Sequence, residues 1–303
     1  SNVTSTDVFS CHDVPSIFSV PQILYEQGIV DKIFTKFNKV GMINSAANWD
    51  KWNNIVNSMQ NKDGEIKIAM VGKYVTLTDS YVSVNHALKH AAAKIGKSVS
   101  IDWIDSEEIN GKVNDLVKYN GILVPGGFGS RGAEGIIKTA NFAREKNIPY
   151  LGICFGFQLA AVAFGRHVLN YSDANSTELD PKTSHPVVDL LPEQKTVSNM
   201  GGSLRLGAHD ITIKPSTIAY KAYNASHVSR RHRHRYEINT KYLPEFEKHG
   251  LVFSAESDNS KRMEMLEIPS HKFYFGVQFH PEFNSRPGFP EESFEAFIQA
   301  SAS

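Results

Sequence analysis

The order of apolar and polar residues changes character at position 66. From there, short apolar runs alternate with longer stretches whose apolar residues recur every three or four positions. The short runs are typical of buried strands, and the longer stretches are typical of helices that cross over between parallel strands. The pattern predicts strands over 66–71, 99–104, 121–124, 149–153 and 272–279, and helices over 79–95, 136–146 and from about 155. We therefore expect an α/β domain of three layers, with helices flanking a mostly parallel central sheet.

Three other stretches follow different patterns. Residues 15–39 have apolar positions at helical spacing, which predicts one or two short helices. Residues 41–65 are rich in Asn, Lys, Asp and Gly and are a candidate linker. Five apolar residues within it share the spacing of one helix face, namely Trp49, Trp52, Ile55, Val56 and Met59. Residues 170–215 are rich in Ser, Thr, Asn, Asp and Gly, which predicts loops and short antiparallel strands over the active face.

The composition narrows the class of protein. A chain of 303 residues with 41% hydrophobic content can bury a large core, so we do not expect disorder. Because 32 basic residues balance 32 acidic ones, no long-range field favours nucleic acid or an anionic membrane. The two cysteines, Cys11 and Cys154, lie far apart, which predicts a reducing compartment and a cytoplasmic protein. No apolar run approaches the roughly 18 to 20 residues that span a bilayer.

Cys154 stands where a predicted strand ends and a helical pattern begins, between Gly152 and Gly156. This is the form of a nucleophile elbow, in which small neighbours relieve the crowding of a tight strand-to-helix turn. The helix N-terminus favours a thiolate and leaves backbone N–H groups free for an oxyanion. The alternative is that Cys154 is a small buried hydrophobic residue. Cys11 lies beside His12, but adjacent residues of an extended segment point to opposite sides.

His280 ends another apolar strand and is followed by Pro281 and Glu282. A thiol nucleophile needs an imidazole that accepts its proton and later protonates the leaving group. That imidazole in turn needs a third group, here Glu282, to fix its tautomer. The alternative is a surface histidine that precedes a turn.

A glycine-rich turn follows the predicted strand at 121–124. Gly126 and Gly127 allow backbone N–H groups to approach a ligand oxygen without a side chain in the way. Paired glycines are weak evidence alone, because most are only turns. The turn lacks the Gly-Lys-Ser/Thr ending of a phosphate-binding P-loop.

Together, in the order PGGFG, GICFG and HPE, these motifs resemble those of the class I (triad) glutamine amidotransferases. Longer strings over nearly the whole chain are similar to the CTP synthase family within that class. They are HDV at 12–14, VGKY at 71–74, DSY at 79–81, DANSTE at 173–178, TSHPV at 183–187, MGG at 200–202, RLG at 205–207, RHRHRYE at 231–237 and FHPEF at 279–283. The resemblance implies the flavodoxin-like fold of the class I glutamine amidotransferases.

The resemblance also implies a division of the chain and a role for each matching residue. Residues 1–40 correspond to the C-terminal tail of a synthetase domain, 41–65 to a linker and 66–303 to the glutaminase domain. The implied roles are nucleophile for Cys154, base for His280, orienting carboxylate for Glu282, oxyanion-hole N–H donors for Gly127 and Phe155, ammonium and carboxylate ligands of glutamine for Glu178 and Arg235, and pocket lining for Phe155, Gly156, Phe157 and Gln158. Phe155 and Phe157 replace the Leu and Met of many relatives; both are apolar and the implied Phe155 contact is through the backbone, so we expect a reshaped pocket wall with the chemistry kept.

Glu178 and Arg235 also suit these roles on physical grounds, because a guanidinium binds a carboxylate in bidentate fashion and a carboxylate binds an ammonium group. Without the resemblance, they read as a loop charge and an exposed strand cation. In a strand, Arg231, Arg233 and Arg235 share one face, and two histidines, His232 and His234, share the other. A zinc site from these histidines is disfavoured because no cysteine or acidic cluster lies nearby in sequence, so we expect no metal.

For cofactors and partners, the resemblance implies L-glutamine as substrate and no cofactor for its hydrolysis. ATP and Mg²⁺ belong to the synthetase domain, which aminates UTP to CTP. GTP is the implied allosteric effector, near Phe128 and residues 200–207, including Arg205 and Leu206. The family forms homotetramers and filaments. The chain alone is expected to release glutamate and ammonia but to form no CTP.

Two other functions stay open at this point. One is a catalytically quiet interaction module that contributes surfaces to an oligomer or filament. The other is a different cysteine hydrolase on the same fold, such as a gamma-glutamyl hydrolase. The DANSTE string and the tail at 1–40 argue against the second.

Overall fold

The alternating pattern from residue 66 onward folds as a layered α/β domain in a computed structural model. The structure describes residues 2–39, 49–60, 64–77, 79–109, 111–190 and 204–303. Its α-helices are α1 (Val20–Glu26), α2 (Ile29–Lys36), α3 (Trp49–Gln60), α4 (Val82–Lys94), α5 (Ala133–Glu145), α6 (Phe155–His167), α7 (Ile218–Tyr223), α8 (Leu243–Lys248) and α9 (Glu292–Ala302). Its strands are β1 (Ile66–Gly72), β2 (Val99–Asp105), β3 (Gly121–Val124), β4 (Tyr150–Ile153), β5 (Asn175–Ser176), β6 (Pro186–Asp189), β7 (Arg205–Ile213), β8 (His227–His234), β9 (Glu237–Ile238), β10 (Val252–Ser257), β11 (Arg262–Glu267) and β12 (Tyr274–Val277).

The main sheet has nine strands in the order β2-β1-β3-β4-β12-β11-β10-β7-β8. The first five strands pair in parallel. The remaining four continue the sheet in antiparallel pairings. A second sheet, β5-β6-β9, is small. The parallel half places the carboxyl ends of β3, β4 and β12 at one edge, where ligands of open α/β sheets bind.

The core lies on both faces of the parallel strands, as their nearly unbroken apolar sequences require. Ala69 and Val71 of β1 pack in one hydrophobic cluster with α5 and α6. Ile68 and Met70 of the same strand pack in a second cluster with α4 and α9. Successive side chains of a strand point to opposite faces, so one strand joins both clusters. The predicted three-layer fold with its mostly parallel sheet is confirmed.

The largest difference from the sequence prediction concerns residues 170–215. We expected loops and short strands there, and β5 and β6 are indeed short. However, β7 is a nine-residue strand of the main sheet that pairs with β8 over eight residue positions. Residues 191–203 of this stretch lie outside the described residues.

The residues described before β1, 2–39 and 49–60, include the α-helices α1, α2 and α3. The helical prediction for 15–39 is confirmed, and the apolar spacing in the predicted linker does form a helix, α3. The indole N–H of Trp52 donates to the Phe18 carbonyl at 2.7 Å. The Phe18 ring contacts His86 and His90 of α4, with ring centroids 5.5 Å apart in both pairs. The segment is thus packed on α4, while the division at residues 40 and 65 stays a prediction.

In the described part of the chain, we find no helix with the length and apolar character needed to cross a membrane.

Candidate active site

Cys154 occupies the junction between β4 and α6, as the elbow motif predicts. Its backbone torsions are φ 52° and ψ −95°, and the residue is 4% exposed. A Cβ atom at Gly152 would lie 2.7 Å from the backbone carbon of Gly156. A Cβ atom at Gly156 would lie 2.4 Å from the Val124 carbonyl oxygen. Both glycines are therefore required by close backbone approaches around the turn, which holds Cys154 at the carboxyl end of the sheet.

His280 follows β12, the parallel neighbour of β4, so the sheet brings the two motifs together. The backbone N–H of Cys154 donates to the Val277 carbonyl at 2.7 Å. A Cβ atom at Gly126 would lie 2.9 Å from His280 Cε1 and 3.7 Å from Cys154 Cβ. The imidazole and the thiol thus share the small space beside this glycine, which no larger residue could occupy unchanged.

Glu282 orients the imidazole from the far side. Its Oε1 lies 2.8 Å from His280 Nδ1, which leaves Nε2 directed toward the cysteine side of the ring. Burial lowers the pKa of His280, but the adjacent Cys154 and Glu282 outweigh burial and raise that pKa to about 11. The arrangement therefore favours the protonated form of the imidazole.

The glycine-rich turn after β3 faces the start of α6. A Cβ atom at Gly127 would lie 3.5 Å from Phe155 Cδ1, so the two predicted oxyanion donors are neighbours. Phe155 is the first residue of α6, and its N–H has no acceptor within the helix. Lys73 stabilises the turn, because its ammonium group donates hydrogen bonds to the carbonyls of Phe128 and Gly129.

A cavity of about 630 Å³ opens onto these groups. Its lining includes the triad residues, Gly127, Gln158, Glu178 and Arg235. Glu178 Oε1 accepts the Gly129 N–H at 2.7 Å, which ties this carboxylate to the glycine-rich turn. The site therefore presents one carboxylate and one guanidinium beside the nucleophile.

Three residues predicted to line the pocket contribute no side chain to it in the described structure: Phe155, Gly156 and Phe157. The Phe155 and Phe157 rings are 1% and 0% exposed and belong to the core on the α5 and α6 side of the sheet. The expected reshaping of the pocket wall by these rings is therefore wrong, since α6 turns them into the core. A contact of either residue with substrate is limited to the backbone.

The residues predicted to contact the effector differ in their exposure to solvent. Phe128 and Leu206 are 64% and 56% exposed. Arg205 is buried, and its guanidinium lies 2.5 Å from Glu264 and 2.9 Å from the Ser257 hydroxyl. Its side chain is thus committed to an ion pair inside the sheet and is not displayed to a surface ligand. Residues 200–203 of this region lie outside the described part of the chain.

The alternation predicted for the basic strand is observed within β8, with Arg231 and Arg233 exposed and His232 and His234 buried, whereas Arg235 lies beyond the end of the strand and is half-buried. Each histidine meets a carboxylate. His232 Nε2 lies 2.8 Å from Glu264 Oε2, and His234 Nδ1 lies 3.6 Å from Glu237 Oε1. Among the residues that the structure describes, no group of three or more His, Cys, Asp or Glu side chains is placed to hold a metal ion.

Two site residues were missed by sequence reasoning. Lys73 lies in the VGKY string, but its contact with the glycine-rich turn joins residues 55 positions apart. Gln278 lies two residues before His280, and its Nε2 is 3.7 Å from Cys154 Sγ. The sequence placed Gln278 near the site, yet nothing local indicated the direction of its amide.

Comparison with known proteins identifies relatives of the chain. A family model described as glutamine amidotransferase class-I matches residues 76–300. A CTP synthase of Archaeoglobus fulgidus is 47% identical over 299 residues, and one of Staphylococcus carnosus is 44% identical over 301 residues. Each of these alignments covers 99% of this chain and 56% of the relative. The chain therefore spans about half the length of the curated relatives it matches.

Among solved structures, the Trypanosoma brucei CTPS glutaminase domain with bound acivicin is 39% identical to this chain. The TM-score is 0.74, and the match covers 78% of this chain and 94% of that chain. The chain belongs to the class-I glutamine amidotransferase family, an enzyme family. Within it, the similarity is to CTP synthases and to the glutaminase domain of one of them, which confirms the resemblance predicted from the motifs.

Proposed function

We propose that this chain hydrolyses L-glutamine to glutamate and ammonia through Cys154, His280 and Glu282. The observation that carries the proposal is that the Cys154 and His280 side chains lie together beside Gly126, while Glu282 Oε1 lies 2.8 Å from His280 Nδ1. A nucleophile, a base and an orienting carboxylate in this order form the catalytic unit of covalent amide hydrolysis.

In the first step, the Cys154 thiolate attacks the side-chain amide carbon of glutamine. The N–H groups of Gly127 and Phe155 stabilise the negative oxygen that develops. Loss of one such donor typically costs about 3 kcal/mol of transition-state stabilisation. The His280 imidazolium then protonates the amide nitrogen, the carbon–nitrogen bond breaks, and ammonia leaves a glutamyl thioester.

The second step follows from the electrostatics of the first. The raised pKa of His280 depends largely on the charge of Cys154, and thioester formation neutralises that sulfur. His280 is neutral once its proton has left with ammonia, so it can accept a proton from water. The hydroxide equivalent attacks the thioester, which releases glutamate and the free thiol.

Substrate recognition is assigned to two charged residues of the pocket. Glu178 is proposed to bind the ammonium group of free glutamine, and Arg235 to bind its carboxylate. Glu178 also accepts the Gly129 N–H. The carboxylate proposed to bind the substrate ammonium is therefore attached to the same turn that carries the oxyanion donor Gly127. This arrangement suits a free amino acid better than a glutaminyl side chain within a peptide.

In the longer protein, we propose that the ammonia aminates UTP to CTP at an ATP- and Mg²⁺-dependent synthetase domain, and that GTP stimulates glutamine hydrolysis. The support is the 47% identity to a CTP synthase and the 56% of that relative's length that the chain covers. Glutamine hydrolysis itself is proposed to need no metal or cofactor.

The direct test compares glutamate release by the unaltered chain, Cys154→Ala and the control Cys11→Ala. Cys154→Ala should lose at least about a thousandfold in turnover, because the covalent route disappears. It should stay folded, since only one sulfur is removed from the elbow. Cys11 is exposed, so its replacement should leave turnover unchanged.

Three results contradict the proposal. Full glutaminase activity in Cys154→Ala excludes the thiol mechanism. No glutamine hydrolysis by the unaltered chain, even with the synthetase half of the relatives supplied and GTP present, favours an interaction module. Turnover of poly-gamma-glutamate in place of glutamine identifies a gamma-glutamyl hydrolase.

A further inference from the structure

Gln278 is a fully buried polar residue that touches the proposed nucleophile. It follows β12 directly and is 0% exposed. Its side-chain Nε2 lies 3.7 Å from Cys154 Sγ, a distance at which an amide N–H donates to sulfur. Its backbone N–H donates to the Glu264 carbonyl at 2.9 Å, which fixes the position from which the side chain extends. A buried amide needs such partners, and here one of the partners is the reacting atom.

The direction of the Gln278 amide is set by its neighbours. The Tyr236 carbonyl can only accept, so Gln158 presents its Nε2 to it at 2.8 Å. The same Gln158 nitrogen lies 3.1 Å from Gln278 Oε1. A flipped Gln278 amide would oppose two N–H donors at this contact. The oxygen of Gln278 therefore faces Gln158, and its N–H₂ group faces the sulfur.

We propose that Gln278 is a further catalytic residue, which donates an N–H hydrogen bond to the Cys154 sulfur and stabilises the thiolate. Gln158 is the positioning residue that orients it. Only the consequence for turnover rests on the proposed glutaminase function, because the contact with the sulfur exists without substrate.

The surroundings of the sulfur agree with an acceptor role. As a thiol, Cys154 has the Arg233 carbonyl as acceptor, at a long 4.0 Å. As a thiolate, it can accept from Gln278 on one side and from the His280 imidazolium on another. Hydrogen bonds to charged groups are stronger than those between neutral groups, so the Gln278 contact favours the ionised sulfur.

The test measures thiol ionisation and needs no glutamine. In the Cys11→Ala background, Cys154 is the only cysteine, so its iodoacetamide alkylation can be followed against pH. Gln278→Met keeps the length of the side chain and removes the donor. We expect its alkylation profile to move to higher pH, with a rate about tenfold lower near neutrality. Gln299→Met is the matched control, since Gln299 is exposed on α9 and does not line the cavity that contains Cys154; its profile should equal that of the background.

Gln278→Glu provides a second variant of nearly unchanged volume. It places a carboxylate against the sulfur, so the profile should move further in the same direction. Folded Gln278→Met or Gln278→Glu with the background profile overturns the inference. That result leaves the proposed function standing, whereas failure of the unaltered chain to release glutamate contradicts the function and not the Gln278 contact.

Discussion

Cys154 has a positive φ of 52°, a conformation that residues other than glycine rarely adopt. Such strain typically costs about 1–3 kcal/mol and persists only where the surroundings enforce it. Here the surroundings are the Val277 carbonyl, which accepts the Cys154 N–H, and the two glycines that allow β4 and α6 to approach. The strained turn places Cys154 where the hydrophobic core borders the lining of the pocket.

Gly156→Ala tests this account at the residue scale. The new Cβ atom would meet the Val124 carbonyl, so the elbow must shift, and we expect a loss of about 1–3 kcal/mol in the free energy of unfolding. Glutaminase turnover should fall as well. The control is Gly165→Ala in the same helix, where the nearest atom is the Ala174 Cβ at 3.1 Å. Denaturant titration should show a change below about 1 kcal/mol for it, because alanine favours the helix. Equal losses in both variants contradict the special role of the turn.

At the scale of elements, the sequence predicted what is local. The strand-turn-helix around Cys154 is encoded by one short stretch of sequence, and so is the strand that ends before His280. The parallel pairing of β4 with β12 brings the two together. The strand β7 was missed because Gly207, His209 and Asp210 give it no strand-like composition, and it is stabilised by its pairing with β8. The Arg205–Glu264 ion pair depends on the register of that antiparallel half and has no local signal.

The helix α4 joins the N-terminal segment to the loop after the HPE motif. His90 contacts the Phe18 ring, and its Nδ1 lies 3.1 Å from the Ser285 hydroxyl. Burial, with a smaller contribution from His86, lowers the pKa of His90 to about 4. The folded protein thus holds this imidazole neutral at a pH where the unfolded chain already protonates it.

This shift predicts acid sensitivity of stability. The contribution of His90 to the free energy of unfolding is fully retained above about pH 6.5, the pKa of His90 in the unfolded chain, and decreases as the pH falls toward 4. At pH 5 the folded state should therefore be about 1–2 kcal/mol less stable than at pH 7. His90→Gln should reduce this difference. His249→Gln is the control, because the His249 side chain is 39% exposed; this variant should leave the difference in stability between pH 5 and pH 7 unchanged. The check is chemical denaturation at both pH values, and an unaltered pH dependence in His90→Gln contradicts the assignment.

At the scale of the whole molecule, the chain matches 56% of the length of the Archaeoglobus and Staphylococcus relatives. Phe18 of the N-terminal segment packs on α4 and also accepts the Trp52 indole N–H through its carbonyl, so this segment is packed against the α/β domain. The pocket and the segment contact the same helix, since Val82 and Ser83 at its start line the cavity while His86 and His90 further along it meet Phe18.

We therefore expect the chain alone to release glutamate and ammonia but to form no CTP from UTP and ATP. The reason is that the printed sequence contains no P-loop motif and matches only 56% of the length of the CTP synthase relatives. Chromatographic detection of CTP, with ammonium salt supplied in place of glutamine, is the measurement. CTP formation by the chain alone would contradict the assignment of UTP amination to a separate synthetase domain.

The proposed mechanism requires that the sulfur of Cys154 is a nucleophile that attacks glutamine. A diazoketone analogue of glutamine, followed by peptide mass spectrometry of the intact folded chain, tests it most directly. The account predicts a single adduct on Cys154, none on the exposed Cys11, and protection by excess glutamine. An adduct on Cys11 with Cys154 unmodified, or labelling that glutamine does not prevent, would contradict it.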